Sequence, residues 1–143
     1  MSVAKRGESM RVILFRGKTI DGDWTYGYYV FTPKRTGAFG QTISSVDFDR
    51  HYILTMKFNI VKEVIPETVG QYTGLEDSNG KKIFEGDIVK EGCNGLIGVV
   101  VWCNSLGTYR LANFGEDYAI KEAPFEWEII SNIHDNPELL ETQ

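Results

Sequence analysis

Four carboxylates crowd one short stretch of this chain, Glu76, Asp77, Glu85 and Asp87. Two such groups brought together could divide the work of a general acid and a general base. Two other chemistries are suggested by the same stretch, and both fail on spacing. A phosphate loop needs four residues between its glycines. Here five separate Gly74 from Gly80-Lys81, and Lys82 stands where Ser or Thr would meet magnesium. A calcium loop starting at Asp77 would need glycine two places beyond Gly80 and a closing glutamate where Ile88 stands. The acids also have a purely structural use. Carboxylates beside turns accept backbone N–H bonds, which is the commoner role of Asx side chains there.

Other reactive residues are scattered. Cys93 and Cys103 flank a hairpin signal and could meet His51 or His134 at a metal, but two cysteines ten apart without a CxxC make a poor zinc pattern. We expect both thiols reduced and metal-free, and no bound cofactor. His134-Asp135 could be a base and its orienter, but no nucleophile stands in a recognised motif nearby. The densest aromatic run is Trp24, Tyr26, Tyr28, Tyr29 and Phe31. Such rings can stack bases or form a protein interface.

Composition narrows the classes. The chain has 143 residues, 42% of them hydrophobic and 13% aromatic, with 15 glycines and 4 prolines, which suits a globular, mostly β protein. Its net charge of −5 disfavours duplex nucleic acid, although Lys5-Arg6, Arg11, Arg16–Lys18 or Lys34-Arg35 could form a local basic patch. Met1–Met10 has no apolar run, and the longest apolar stretch, Leu96–Cys103, is too short to cross a bilayer. We expect a cytoplasmic protein with no membrane association.

The elements that must position these groups are short strands. Residues 1–9 read as a flexible tail. Met10–Arg16 is strand-like, and Gly17–Gly22 reads as a turn. Asp23–Thr32 alternates with period two, placing Trp24, Tyr26, Tyr28 and Val30 on one face and Tyr29 and Phe31 on the other. Pro33–Gly40 reads as a loop, Thr42–Val46 and His51–Met56 as weaker strands, Phe58–Ile65 as a strand and Pro66–Gly70 as a linker. Asn79-Gly80 and Asn94-Gly95 are hairpin signals, expected as two-residue type I′ turns. Strands are expected over Lys81–Phe84, Asp87–Glu91, Leu96–Cys103, Tyr109–Phe114 and Glu126–Ile133. Asn136-Pro137 should cap a short terminal helix. The expected organisation is an N-terminal β lobe over 10–68 and a C-terminal small, partly open β barrel over 69–143 that ends in that helix.

Several of these features occur together in one known family. Phe15-Arg16-Gly17-Lys18, Gly22-x-Trp24-x-Tyr26-Gly27, Gln71-Tyr72-Thr73-Gly74-Leu75-x-Asp77-x-Asn79-Gly80, Ile83-x-Glu85-Gly86-Asp87-Ile88-Val89 and the ending Ile130–Leu140 make the chain resemble YopX-type proteins of bacteriophages and prophages. The resemblance runs from about Met10 to Leu140, and glycine would be expected where Ser131 stands. It implies a phage or prophage origin and a mostly β fold. It implies no reaction and carries over no catalytic residue.

The sequence therefore points to a non-enzymatic accessory protein that binds a protein partner or itself. Trp24, Tyr26, Tyr28, Tyr29 and Phe31 are its candidate interface. Asp77, Asn79, Gly80, Glu85, Gly86, Asp87, Asn94 and Gly95 are its structural turns. A nucleic-acid-associated module is the alternative, and an enzyme using the acids over 77–87 is a third reading.

Overall fold

The computed structural model describes residues 11–33, 49–57, 59–92, 95–112, 118–120 and 126–141. The fold is mostly antiparallel β, in two sheets, and no closed barrel forms among these residues. The expected tail over 1–9, the strand at Thr42–Val46, and Cys93 and Asn94 lie outside the described residues.

The chain divides into two units, Leu14–Gln71 and Met1–Ile13 with Tyr72–Gln143. In the first, the strand order is β4-β3-β2-β1-β5, with β1 at Phe15–Lys18, β2 at Trp24–Thr32, β3 at Arg50–Thr55, β4 at Val61–Glu63 and β5 at Gly70–Glu76. Only the first residues of β5, Gly70 and Gln71, pair with β1. Gly27 sits where β2 runs close against β3. A Cβ built there would fall 1.8 Å from the Leu54 carbonyl oxygen, so no larger residue fits without moving a strand.

In the second unit β5 continues from Tyr72 against β6 (Lys82–Phe84). The remaining strands are β7 (Asp87–Glu91), β8 (Ile97–Cys103), β9 (Thr108–Ala112), β10 (Tyr118–Ala119) and β11 (Trp127–Asn132), in the order β10-β9-β8-β7-β11. Alternation along β7, β8 and β9 puts Val89, Val100, Tyr109 and Leu111 into one core with Ile83. Leu75, Trp127 and Ile129 pack against it. β11 carries a bulge between Ile129 and Ser131, which breaks the period-two pattern and leaves Ile130 exposed.

Several local expectations need correction. Gly17 and Lys18 belong to β1 and not to a turn. A Cβ at Gly17 would meet Val64 at 2.9 Å, so close packing accounts for that glycine and a reversal does not. The strand expected over Phe58–Ile65 shrinks to Val61–Glu63, because Asn59 takes a φ of 50° inside the β3–β4 turn. Pro66–Gly70 holds a 3-10 turn at Pro66–Thr68 and the start of β5. There the Thr68 hydroxyl accepts the Lys18 N–H at 2.8 Å and donates to the Ile65 carbonyl at 2.6 Å.

The hairpin at Asn79-Gly80 is not a type I′ turn. Gly80 has a φ of 78°, but Asn79 does not share its positive φ. The Gly80 N–H returns to the Asp77 carbonyl and the Asp77 N–H to the Lys81 carbonyl. This is a three-residue loop, a type I turn followed by a left-handed glycine. The first unit repeats the design. Gly22 (φ 93°) bonds back to Thr19, and Thr19 N–H bonds to Asp23. Gly95 has a φ of 69°, but its N–H bonds to Glu91, which makes a longer loop than two residues.

The terminal helix is a lone 3-10 turn at Pro137–Leu140, and the Asn136 side chain does not cap it. Asn136 Oδ1 instead accepts the Ser131 hydroxyl at 2.6 Å, and its amide donates to Glu138 at 2.9 Å.

Candidate functional site

The four acids do not converge as an acid–base pair would. Asp77 is buried and saturated with backbone donors. Its Oδ1 accepts the N–H groups of Asn79 and Lys81, both at 2.9 Å, and its Oδ2 accepts that of Ile129 at 3.0 Å. Burial alone would raise its pKa. The bonds from Ile129, Lys81 and Asn79, with the Lys81 charge, outweigh burial and hold the carboxyl below its ordinary range. Asp87 is 2% exposed and accepts the Phe84 N–H at 2.7 Å across the turn at Glu85-Gly86. Gly86, at a φ of 92°, ties that turn to its surroundings. Its N–H donates to Val100 and its carbonyl accepts Ile133. Glu76 is exposed at the end of β5.

Glu85 differs from its neighbours. Burial pushes its carboxyl up. Tyr109 is raised as well, first by burial and then by the negative charge of Glu85, with Arg11 acting against both. Among the described residues no group of three His, Cys, Asp or Glu could hold a metal ion. The Cys103 thiol is buried, 3.2 Å from the Ser105 hydroxyl. His134 and Asp135 use their backbone N–H groups to bond Asn132 Oδ1.

The aromatic strand β2 carries large rings on both faces. On one face of β2, Tyr29 packs on Phe15 with ring centroids 5.6 Å apart, and His51 stacks on Tyr29 at 5.9 Å and meets Phe31 at 5.0 Å. The Tyr29 hydroxyl bonds His51 Nδ1. The opposite face stays open to solvent. Tyr26 is 44% exposed, Tyr28 52% and Val30 40%. Register places Leu54 beside Tyr28, Tyr52 beside Val30, and Val61 beyond Leu54 on the same face. An Arg50–Glu63 ion pair at 3.4 Å borders it. Trp24 is held differently from the tyrosines. The buried Arg16 guanidinium lies 4.8 Å from its ring centroid and Lys18 Nζ 6.0 Å.

At the Trp24 end of β2 a shallow groove of about 350 Å³ opens against the β3–β4 turn. Trp24, Tyr26, Met56 and Ile60 form its apolar walls, and Lys57 and Lys62 are the charged residues among its described lining. The turn is fixed by Thr55, whose N–H donates to Ile60 and whose hydroxyl accepts the Ile60 N–H at 3.2 Å. The sequence singled out Trp24, Tyr26 and the Arg16–Lys18 patch. It missed Lys57 and Lys62, which come to the groove only through the β2–β3 and β3–β4 pairings, and nothing in the local sequence states those registers.

Comparison with known proteins agrees with this architecture. Protein EF1440 from Enterococcus faecalis, a crystal structure, superposes with a TM-score of 0.53 at 21% identity, covering 92% of this chain and 99% of that one. That likeness is one of fold. No curated protein matches the chain. The family described as YopX protein matches residues 32–141, well over half the chain, and the chain therefore belongs to the YopX family.

Proposed function

We propose that this YopX-family chain is a non-enzymatic accessory protein of a phage or prophage, working in the cytoplasm of the bacterial host by associating with a second copy of itself or with a protein partner. The observation that supports this reading is the open face of β2. Tyr26, Tyr28 and Val30 stand in a row, extended across neighbouring strands by Leu54 and Val61. Large rings with a polar rim are the composition of interface cores. Two of the acids that could have argued for catalysis, Asp77 and Asp87, are engaged with backbone groups.

Light scattering at micromolar concentration tests the reading. Native protein is expected as a dimer or larger, and Tyr28→Glu as a monomer, because a charge would be buried at the centre of the interface. Native protein that runs as a 16.2 kDa monomer, with no partner recovered from phage-infected cells, would leave the reading without support.

A further inference from the structure

We infer that the groove between Trp24 and the β3–β4 turn is a binding site for an aromatic ring system carrying phosphate, either a free nucleotide or a base within a single strand of nucleic acid. Its walls and its charge point to the same ligand. Trp24 and Tyr26 offer flat apolar surface, with Met56 and Ile60 on the turn opposite. The described lining carries two lysines, Lys57 and Lys62, both exposed, and no carboxylate. Arg16 and Lys18 lie against the Trp24 ring, and Lys57 and Lys62 line the groove beside it.

A purely apolar ligand would gain nothing from that charge, and a bare anion would gain nothing from the rings. A base stacked on an aromatic side chain with its phosphate near lysine uses both. The buried Arg16 guanidinium packs against the Trp24 ring, which restricts the indole and lowers the side-chain entropy lost when a second ring stacks on it. The volume lies at the low end of the range for small-ligand sites, which suits one nucleotide unit. The chain's net charge of −5 opposes a long duplex lying across the whole surface, but does not oppose one phosphate at a local cluster of cations.

This inference goes beyond self-association and does not depend on it: the groove shares only Tyr26 with that face, and Trp24, Lys57 and Lys62 lie outside the row of Tyr28, Val30, Leu54 and Val61. The test is calorimetric titration of the full-length protein at low salt with three probes: adenosine 5′-monophosphate, a single-stranded oligodeoxyadenylate of about eight nucleotides, and inorganic phosphate. Binding of the mononucleotide identifies a free-nucleotide site, and binding of the oligonucleotide alone identifies a strand site. Either result supports the inference when inorganic phosphate fails to compete at equal concentration. Lys57→Ala/Lys62→Ala changes two exposed side chains and should keep the native melting temperature while weakening binding about tenfold or more. Trp24→Phe keeps a ring and should weaken it less. Three results would each overturn the inference: no binding of either nucleotide probe at millimolar concentration, equal binding by the double-lysine variant, or full competition by phosphate.

Discussion

The Asp77 carboxylate accepts the backbone N–H of Ile129 at 3.0 Å, joining residues 52 apart in the chain. One residue further on, the Ser78 N–H donates to the Trp127 carbonyl. β11 is an edge strand of its sheet, and an edge presents unpaired N–H and C=O groups. The β5–β6 turn occupies that edge at two points. Asp77 thus serves both ends of one problem. It closes its own turn through Asn79 and Lys81 and covers the edge of a strand through Ile129.

Replacing Asp77 by Ala should therefore cost about 3 kcal/mol, since three N–H groups lose a charged acceptor in a buried position. Asp77→Asn keeps one acceptor oxygen and should cost less. Urea unfolding measures both. Equal stability of Asp77→Ala and the native protein would show that water replaces the carboxylate without loss.

The acids also set opposite pH dependences. Asp77 is depressed in the folded state, so its stabilisation is present above its ordinary value of 3.8 and is lost as pH falls through the lower folded value. Glu85 is raised, so the folded state holds its proton more tightly than the unfolded chain. Stability then declines as pH rises from 4.5 through the raised folded value. Glu85→Gln should be more stable than native protein at pH 7, with the advantage shrinking as pH falls towards 4.5. Thermal melts across that range would show the convergence. A Glu85→Gln protein that is less stable at pH 7 would mean the ionised carboxylate is needed.

Two glycines separate backbone strain from lack of space. Gly80 sits at a φ of 78° with open space around it, so Gly80→Ala should cost about 1 kcal/mol. Gly27 has ordinary extended backbone but no room beside Leu54. Gly27→Ala should cost more, about 3 kcal/mol, because β2 and β3 must separate locally. Chemical denaturation of the two variants ranks them. The reverse order would put the tight approach of β2 and β3 in doubt.

These cases also show what could be read from the sequence. The strand at Trp24–Thr32 was legible because its rings alternate, and so were β7 and β8 around Gly95, because loop glycines bound them. The turn type at Asn79-Gly80 was not. The dipeptide admits both I′ and a type I turn with a left-handed glycine, and the choice was made by Asp77, whose carboxylate bonds the N–H groups of Asn79 and Lys81. β5 was hidden because Thr73 and Gly74 interrupt its pattern. Gly74 has a φ of 90°, the β5–β6 register slips around it, and the Thr73 hydroxyl bonds the Ile83 carbonyl at 2.8 Å. The candidate site was half legible for a similar reason. Trp24 and Tyr26 lie in one strand, while Lys57 and Lys62 come from a turn and a strand brought alongside by pairing.

Ser131, where the sequence resemblance leads us to expect glycine, offers a test of a local departure. Its backbone has no positive φ, so glycine would relieve no strain there. Its hydroxyl donates to Asn136 Oδ1 at 2.6 Å, and the Asn136 carbonyl in turn accepts the Leu139 N–H at 3.2 Å. The serine therefore anchors the residue from which the terminal 3-10 turn begins. Ser131→Ala removes one hydrogen bond and should cost about 1 kcal/mol. Ser131→Gly removes the same bond and also frees the backbone of the unfolded chain, for a total of about 2 kcal/mol. The loss should be local as well as global. The amide of Leu139 should exchange with deuterium faster in both variants, while amides in β8 change only in proportion to overall stability. A Ser131→Gly protein with native stability and native protection at Leu139 would show that the serine anchors nothing.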